Sequence, residues 1–423
     1  MGRIMVNEVP QNQFELKELE LNSLLEVTQA INNNLPEASL YKIYNFTLRA
    51  NLNIKKLALY VLQEQEGQPD RWECKTNFGT DTDFNKVLLQ EHFLPIQEIS
   101  YVKDLEEPGH FAEFDILVPV SHKNRVLALA FVSGLKKDTD APSAQTGTTF
   151  IQALSNIIIV AIENKKLARR QLAQEAIRKE MEIAQQVQQF LFPKNLPRQP
   201  GLSVEASYVP HYSVGGDYYD FIHLTANFFL VCIADVSGKG IPAALLMSNF
   251  QAALRTIARQ TMSLKEIIRE LNYQVMQSAN GENFITFFVA IFDQESHTLW
   301  YVNAGHIPPL LIYQNQVKQL DQGTVMLGSF QPLPFLNQGV IHDLDNFLLF
   351  AFTDGLTETF NLAEEEFGVE RLEKLLVQQF ATDLPSLHQT VFDALTEFNG
   401  GQAYTDDVTF LSARVNTSKL TSG

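Results

Sequence analysis

The spacing of apolar residues changes along the chain, and each spacing indicates a different kind of secondary structure. In some stretches apolar residues recur at helical intervals, whereas in others they form short runs typical of buried strands. The elements predicted in the N-terminal part are helices at 14–33 and 40–52 and strands at 56–61, 115–120 and 126–132. We therefore expect a small domain that combines a sheet with helices.

A long helix is expected to follow this domain. Residues 151–192 contain neither proline nor glycine, and Pro193 ends the stretch. The second half carries an amphipathic stripe with spacings mostly of three to five residues, formed by Leu167, Leu172, Ile177, Met181, Ala184, Val187 and Leu191. Such a stripe either packs on the domains that the helix connects or pairs with a second copy in a parallel coiled coil. We expect the coiled coil, and hence a homodimer whose linker carries a signal between domains.

The C-terminal half predicts a domain rich in strands. Its predicted strands are at 228–234, 284–292, 298–303, 309–313, 346–352 and 407–414, and its helices are at 241–259, 263–278, 370–380 and 384–397. Only a short polar turn separates the strands at 284–292 and 298–303, which is typical of antiparallel pairing. The fold class is therefore α+β with mainly antiparallel sheets.

Composition narrows the class of protein further. Of the 423 residues, 45% are hydrophobic and 19% are charged, which is typical of a globular chain of two or three domains. The formal net charge of −17 argues against a nucleic-acid partner, because phosphate backbones are bound by lysine and arginine. The two cysteines, Cys74 and Cys232, lie in different expected domains, so no disulfide is predicted. Without a signal peptide or an apolar segment long enough to span a bilayer, we expect a cytoplasmic protein with no membrane partner.

The segment CIADVSGKGIPAALL at 232–246 is the first candidate functional site. In it a strand, a glycine turn and a helix follow one another, as in phosphate-binding loops. A Walker A loop does not fit, since no glycine precedes the Gly238-Lys239 pair at the required distance. A dinucleotide fingerprint does not fit either, because Ala243 stands where the third glycine belongs. What remains is Asp235 at the end of the strand, which is either a turn or helix cap or a functional carboxylate.

Other aspartates share this position beside glycines or at strand ends. They are Asp217 and Asp220 in VGGDYYDF, Asp354 in LLFAFTDGLTE, and Asp406 and Asp407 in AYTDDVTFL. Strand ends of one sheet can converge, and carboxylates that converge repel one another unless cations neutralise them. Carboxylate and carbonyl oxygens suit Mg²⁺ or Mn²⁺, whereas Zn²⁺ prefers histidine or cysteine. The sequence therefore predicts a magnesium or manganese site.

Five motifs in order resemble the PPM family of metal-dependent Ser/Thr protein phosphatases, above all its bacterial branch that regulates stress-response and sporulation sigma factors. They are GGDYYD at 215–220, ADVSGKGIPAAL at 234–245, NAGHIPPLL at 303–311, FTDGLTE at 352–358 and TDDVT at 405–409. The resemblance implies a PPM domain at 198–416, an α-β-β-α sandwich, followed by a tail at 417–423.

The resemblance also implies a role for each motif residue. Asp235 would bridge two divalent ions, Mn²⁺ or Mg²⁺, with the carbonyl of Val236 as a further ligand. Asp354 and Asp406 would hold the second ion, and Asp217 would bind the ions directly or through water. Hydroxide shared by the two ions would attack the phosphorus of a phosphoserine or phosphothreonine. The supporting positions would be Gly216, Asp220, Gly238, Gly355 and Asp407.

Two residues of these motifs have alternative roles. Lys239 either contacts the substrate or is a solvated turn residue, and His306 either protonates the leaving alkoxide or closes a turn as a structural residue. We expect Lys239 to be a solvated turn residue and His306 to be a structural residue.

The region 15–165 resembles a GAF sensor domain, which would follow a tail at 1–14 and precede a helical linker at 166–197. This resemblance implies a small-molecule or protein ligand for the sensor. The phosphatase resemblance implies a phosphorylated regulatory protein as the partner, namely an anti-sigma-factor antagonist of the STAS type. We therefore expect a sensor-regulated phosphatase. The alternatives are a pseudophosphatase that serves as a partner-binding scaffold and a hydrolase of small phosphoesters.

Overall fold

The computed structural model describes residues 11–63, 70–89, 91–122, 125–135, 143–279, 283–314 and 316–420. Most of the tail expected at 1–14 and the last three residues of the tail expected at 417–423 lie outside these ranges. The chain divides into two compact units, Met1–Glu175 and Ala176–Gly423. The division falls inside the linker expected at 166–197.

The first unit contains an antiparallel sheet of five strands in the order β2-β1-β5-β4-β3. Its strands are β1 (Lys56–Gln63), β2 (Arg71–Phe78), β3 (Ser100–Tyr101), β4 (Ile116–His122) and β5 (Arg125–Ser133), and its first helices are α1 (Gln11–Asn32) and α2 (Glu37–Leu52). Along β1 the side chains alternate between two cores. Leu57, Leu59 and Val61 pack with the helices, whereas Tyr60 joins an aromatic cluster on the other face of the sheet. The predicted helices and the three predicted strands of this region are confirmed.

Helix α3 (Ser143–Gln189) is the long helix that the sequence predicts. It begins earlier than expected and ends at Gln189 rather than Phe192. The reason is a tighter last turn, in which the amides of Phe190 and Leu191 bind carbonyls three residues back. Within the first unit, the buried side chains of Ile151, Leu154 and Ile158 fix this helix on the sheet.

The second unit is a sandwich of two six-stranded sheets. One sheet has the order β14-β11-β10-β9-β8 with β15 beside β11, and the other has the order β13-β12-β16-β17-β7-β6. The strands are β6 (Arg198–Gln199), β7 (Leu202–Val209), β8 (Tyr218–His223), β9 (Phe228–Val236), β10 (Ile285–Asp293), β11 (Thr298–Ala304), β12 (Leu310–Tyr313), β13 (Gln316–Gln319), β14 (Gly323–Thr324), β15 (Gly339–Ile341), β16 (Asn346–Phe352) and β17 (Val408–Asn416).

Helices cover both outer faces of this sandwich. The helices of the unit are α4 (Ile241–Ile257), α5 (Leu264–Ala279), α6 (Asp354–Thr357), α7 (Val369–Gln378), α8 (Leu384–Phe398) and α9 (Thr417–Leu420). α4 and α5 pack on the first sheet, and α7 and α8 pack on the second. The expected α-β-β-α sandwich is confirmed. Its sheets are mainly antiparallel, as expected. The exception is the parallel pair formed by β11 and β14.

Strand β9 shows why the sequence reads as an unbroken apolar run. Leu230, Cys232 and Ala234 point into the core beneath α4 and α5, whereas Val231 and Ile233 point into the core between the sheets. Both faces of the strand are therefore buried. Cys232 and Cys74 are both free thiols, as expected. In the part of the chain that the structure describes, no helix combines the length and the apolar character needed to cross a bilayer.

Candidate active site

Five aspartates lie where strands of the two sheets of the second unit begin or end. Asp217 precedes β8, and Asp235 is the penultimate residue of the neighbouring strand β9. In the other sheet, Asp354 follows β16, and Asp406 and Asp407 precede the neighbouring strand β17. Hydrogen bonds join the ends of the two sheets, because Thr353 donates to Asp217 and the amide of Gly216 donates to Asp407. Burial raises the pKa values of Asp217, Asp235 and Asp354, and neighbouring carboxylates raise them further.

Asp217 is the most deeply buried of these acids, with 1% of its surface exposed. Its Oδ2 accepts hydrogen bonds from Thr353 Oγ1 at 2.9 Å and from Thr409 Oγ1. Burial raises the pKa of Asp217 well above its usual range, and the negative charges of Asp235 and Asp407 raise it further. The two threonine hydroxyls oppose this shift because they stabilise the charged form. The side chain is thus held in one orientation beside other acids.

Asp235 lies opposite Thr286 of β10 in the first sheet. Burial is the largest cause that raises the pKa of Asp235 to about 7, followed by the charge of Asp354. A hydrogen bond with Asp217 acts in the opposite direction. A carboxylate with a pKa near neutrality is one whose charge the protein itself leaves poorly compensated.

Asp354 is the first residue of α6, and burial and the charge of Asp406 raise its pKa. Asp406 forms an ion pair with Lys239, whose Nζ lies 2.7 Å from Asp406 Oδ2 and 3.1 Å from the carbonyl oxygen of Thr405. About half of each charged side chain in this pair is exposed. Lys239 is therefore bound at the exposed edge of the site, rather than only solvated on its turn.

Asp407 holds the backbone of the neighbouring loop. Its Oδ1 accepts a hydrogen bond from the amide of His211 at 2.8 Å, and its Oδ2 accepts one from the amide of Gly216 at 3.1 Å. Two glycines are required by this arrangement. A Cβ at Gly215 would lie 1.8 Å from Asp407 Oδ2, and a Cβ at Gly355 would lie 2.0 Å from the carbonyl oxygen of Asp407. Only glycine lets these segments approach so closely.

The turn after β9 brings further backbone to the site. A Cβ at Gly216 would lie 2.8 Å from the carbonyl oxygen of Val236, so the GGD loop runs directly beside this carbonyl. Gly238 has a φ of +94°, a conformation that favours glycine in the turn. The Ser237 hydroxyl accepts a hydrogen bond from the amide of Phe284 at 2.9 Å, which ties the turn to β10.

Asp220, which the sequence places among the supporting residues, is bound differently. It is fully buried in β8, and Arg255 of α4 donates from Nε and Nη2 to its two carboxylate oxygens at 2.7 and 3.0 Å. The Tyr218 hydroxyl donates to the same carboxylate. This geometry joins the sheet to α4 through a fully compensated charge.

His306 has the surroundings of a structural residue. It is 6% exposed, its Nε2 lies 3.0 Å from the carbonyl oxygen of Phe352, and its Nδ1 lies 2.8 Å from Thr286 Oγ1. Nε2 therefore carries the proton that it donates to the carbonyl, and Nδ1 accepts from the hydroxyl. Burial lowers the pKa of His306 to about 4, so the ring is neutral at pH 7. These contacts favour the turn-closing role.

The donor set at the site is that of a hard divalent cation. It consists of the carboxylates of Asp217, Asp235, Asp354 and Asp406 beside the carbonyl of Val236, and Mg²⁺ and Mn²⁺ prefer such oxygen ligands. The mutual repulsion of these carboxylates is a free-energy cost that a cation would relieve. As the side chains stand, however, no three His, Cys, Asp or Glu residues in the described ranges form a group that could hold a metal ion. Lys239 and the two threonine hydroxyls bind carboxylate oxygens instead.

Three residues of the site region were missed by the sequence reasoning. Thr353 and Thr409 stand inside the quoted motifs FTDGLTE and TDDVT, and their position beside the acids was the available signal. Gln188, in the last turn of α3, donates from Nε2 to the carbonyl oxygen of Gly215 at 2.7 Å. No local pattern indicates that contact, because it joins residues far apart in the sequence.

Comparisons with known proteins agree with this geometry. Residues 226–416 match the family model of stage II sporulation protein E (SpoIIE). The chain is 31% identical over 245 residues to the phosphoserine phosphatase RsbU of Bacillus subtilis, covering 57% of this chain and 71% of RsbU. It is 24% identical over 186 residues to the phosphoserine phosphatase RsbP of the same organism, covering 43% of this chain and 46% of RsbP.

The fold has a solved counterpart. The PP2C domain of SiaA from Pseudomonas aeruginosa superimposes with a TM-score of 0.52 at 20% identity, covering 58% of this chain and 99% of that domain. The α-β-β-α sandwich of the second unit is thus the PP2C fold.

Proposed function

Because the chain belongs to the PPM family of metal-dependent protein phosphatases, in its sigma-factor-regulating branch, we propose that it hydrolyses phosphoserine or phosphothreonine on a regulatory protein. The observation that carries this proposal is the convergence of Asp217, Asp235 and Asp354 at the ends of two sheets, with pKa values raised by burial and by one another's charge. Keeping these buried acids close together lowers the stability of the folded protein, and such an arrangement is typical of a functional site.

In this proposal Asp235, Asp354, Asp406 and the Val236 carbonyl hold two divalent cations, Mn²⁺ or Mg²⁺, and Asp217 binds them directly or through water. Bound cations of this kind activate a water molecule as the nucleophile and neutralise charge on the phosphoryl group. The chain itself supplies orientation. The threonine hydroxyls fix Asp217, and Asp407 fixes the loop that carries it.

A protein substrate is supported by the surface around the exposed edge of the site. Tyr212, Ile241 and Phe284 are 55%, 45% and 39% exposed. Tyr212 lies near Lys239 at this edge, and the other two adjoin the turn after β9. Exposed apolar side chains at the rim suit contact with a protein better than contact with a small phosphoester. The named activity of RsbU and RsbP supports a phosphoserine protein, and we propose an antagonist of the STAS type.

Regulation by the N-terminal part is the second element of the proposal. The first unit has the helix, sheet and onward-running helix expected of a GAF-like sensor, and α3 leads from it into the second unit. We propose a ligand-binding sensor role for it. The unpaired cysteines are in keeping with a cytoplasmic location.

A homodimer through α3 is proposed from the exposed apolar side chains of this helix. Leu172, Ile183 and Val187 are 57–68% exposed and recur near multiples of the helical repeat, so they share one face. We expect Ile183→Lys to convert a dimer to a monomer in light scattering at micromolar concentration. Gln189→Lys, a change at an exposed position on the opposite side of the same helix, should leave the dimer intact. A monomeric wild-type chain would contradict the dimer.

The phosphatase proposal is tested by phosphate release from a phosphoserine protein and from p-nitrophenyl phosphate, with Mn²⁺, Mg²⁺ or EDTA. We expect turnover that depends on metal and that Asp235→Asn lowers at least about a thousandfold. Asp343→Asn is the matched control, because Asp343 is exposed and has a φ of +57° that asparagine tolerates. Hydrolysis of the small ester alone would favour the phosphoester hydrolase, and no turnover with any metal would favour the scaffold.

A further inference from the structure

Gln188 is a buried polar residue that links the last turn of α3 to the loop carrying Asp217. Its side chain is 5% exposed, although its neighbours Val187 and Gln189 are exposed. Its amide binds both backbone groups of Gly215: Nε2 donates to the carbonyl oxygen at 2.7 Å, and Oε1 accepts from the amide at 3.3 Å. One side chain therefore satisfies a buried donor and a buried acceptor of the same residue.

Gly215 lies between the helix and the acids. On its other side, the space that a side chain would need is filled by Asp407 Oδ2 and the Tyr208 hydroxyl, at 1.8 and 2.4 Å from an ideal Cβ. The next amide, of Gly216, binds Asp407, and the residue after it is Asp217. Gly215 thus has no free side on which to shift independently of both Gln188 and Asp407.

The end of the helix and the residues after it also make contacts elsewhere within the second unit. The carbonyl oxygen of Leu191 accepts a hydrogen bond from Gln251 of α4 at 3.1 Å. The ring of Phe192 packs against Tyr208 and Tyr219, with centroid distances of 5.1 and 4.8 Å. These contacts dock the segment, whereas Gln188 binds the acid-bearing loop itself.

We propose that Gln188 is a positioning residue that makes the geometry of Asp217 depend on the position of the last turn of α3. The inference rests on the proposed function, because it names the contact through which the linker would regulate the acidic site. Breaking the Gln188 contact leaves a buried carbonyl and a buried amide without partners, which is costly. The helix turn and Gly215 therefore move together, and a displaced helix displaces the loop that orients Asp217.

The test compares four full-length proteins: wild type, Gln188→Met, Gln189→Met and Phe192→Leu. Gln188→Met keeps the length of the side chain and removes both hydrogen bonds. Gln189→Met makes the same chemical change on the exposed neighbour, and Phe192→Leu weakens the docking of the segment without removing either hydrogen bond to Gly215. The readouts are free Mn²⁺ by electron paramagnetic resonance, kcat and KM, the unfolding midpoint, and hydrogen exchange of a peptide covering 210–217 in EDTA.

We expect Gln188→Met to weaken Mn²⁺ binding about tenfold or more and to lower kcat by a similar factor, as loss of groups that orient ligands does. KM should change less than threefold, and exchange of the 210–217 peptide should be faster. Gln189→Met should match wild type. Phe192→Leu should lower the unfolding midpoint at least as much as Gln188→Met while leaving Mn²⁺ affinity within twofold.

The inference is overturned if Gln188→Met binds Mn²⁺ and exchanges its 210–217 amides as wild type does, or if Phe192→Leu reproduces both losses. Should Gln188→Met not fold, Gln188→Asn replaces it, since the shorter amide cannot reach Gly215 and the same changes are expected. A wild-type chain that binds no Mn²⁺ and releases no phosphate contradicts the proposed function. The exchange measurement, made without metal, still decides whether Gln188 holds the loop.

Discussion

Two buried aspartates three residues apart, Asp217 and Asp220, have opposite electrostatic surroundings. Both are at most 1% exposed. Asp220 receives two hydrogen bonds from the Arg255 guanidinium and one from Tyr218, so that its charge is paired inside the protein. Asp217 accepts hydrogen bonds from the neutral hydroxyls of Thr353 and Thr409, and the negative charges of Asp235 and Asp407 act on it.

Under the proposed function, this difference separates a structural acid from acids that would bind cations. A buried carboxylate paired with arginine stabilises one arrangement of the chain, and removing either partner leaves an uncompensated group. A buried carboxylate placed among other carboxylates is compensated only when something positive binds. The motif GGDYYD therefore contains one acid of each kind, at the start of β8 and within it.

Of the substitutions that test this comparison, Asp217→Asn should have the strongest effect on phosphate release. The asparagine Oδ1 can still accept from the two threonines, but the ligand charge is lost, so we expect phosphate release to fall by about two to three orders of magnitude. Because the change also removes repulsion, the unfolding midpoint in EDTA should not drop below that of wild type. Urea denaturation in EDTA checks the second point, and a clear loss of stability would contradict the comparison.

The reverse result is expected for Asp220→Asn. Arg255 would lose its charged partner, although its side chain is 39% exposed and can be hydrated, so we expect a loss of about 2 kcal/mol of unfolding free energy. Activity per folded molecule should stay within about threefold of wild type. If Asp220→Asn lost as much turnover as Asp217→Asn and kept its stability, the distinction between the two acids would be wrong.

A buried neutral histidine extends the comparison to basic groups. His388 bonds to Ser207 and Ser412 at 2.7 Å each, and burial lowers the pKa of His388 to about 3. Below the unfolded-state pKa of about 6.5, the unfolded chain binds a proton that the folded chain refuses, so its contribution to stability falls as the pH falls toward 3. We expect a slope of at most about 1.4 kcal/mol per pH unit from this residue.

Urea denaturation of wild type and His388→Gln at pH 7.5, 6.5 and 5.5, in EDTA, isolates that slope. The wild-type curve should fall more steeply between pH 6.5 and 5.5 than the curve of the variant. Parallel curves would mean that His388 is protonated in the folded protein.

The smallest effect is expected for the exposed ion pair. Lys239 and Asp406 are 47% and 46% exposed, so Lys239→Gln should change the unfolding free energy by less than about 0.5 kcal/mol. This is well below the effect expected for Asp220→Asn, which breaks a pair whose carboxylate is fully buried. Denaturation of the two variants side by side checks the ranking, and an equal loss would show that exposure does not decide the strength of these pairs.

Much of the second unit could be predicted from the sequence because its central strands are apolar on both faces. β9, β10 and β16 read as unbroken apolar runs, and the helices at 241–257 and 384–398 follow clear periodicity. β2 was missed because all of its residues stay partly exposed and no alternation marks the strand. β8 was seen only as a motif, since Tyr218, Asp220 and His223 interrupt its apolar pattern.

The acids of the site could be predicted because each stands beside glycines or at a strand end, but their partners could not. Only the family resemblance separates Asp217, an expected cation ligand, from Asp220, an expected supporting residue. The partner that compensates Asp220, Arg255, lies thirty-five residues further along the chain and is not indicated by the sequence around the two acids. The same holds for Gln188 and Gly215, which are joined only by the folded structure. Long-range pairing of this kind has no local signal.

The most direct test of the account is whether Mn²⁺ stabilises the second unit through these acids. Trp72 and Trp300 are the two tryptophans of the chain and lie in different units, so Trp300 fluorescence in a Trp72→Phe background follows the second unit alone. At about one hundred times the dissociation constant, bound Mn²⁺ adds about 2.7 kcal/mol, a rise of roughly 5–10 °C in the unfolding midpoint relative to EDTA. The account predicts this rise for wild type and for Asp220→Asn, and none for Asp235→Asn. An equal rise in Asp235→Asn, or no rise in wild type, would contradict it.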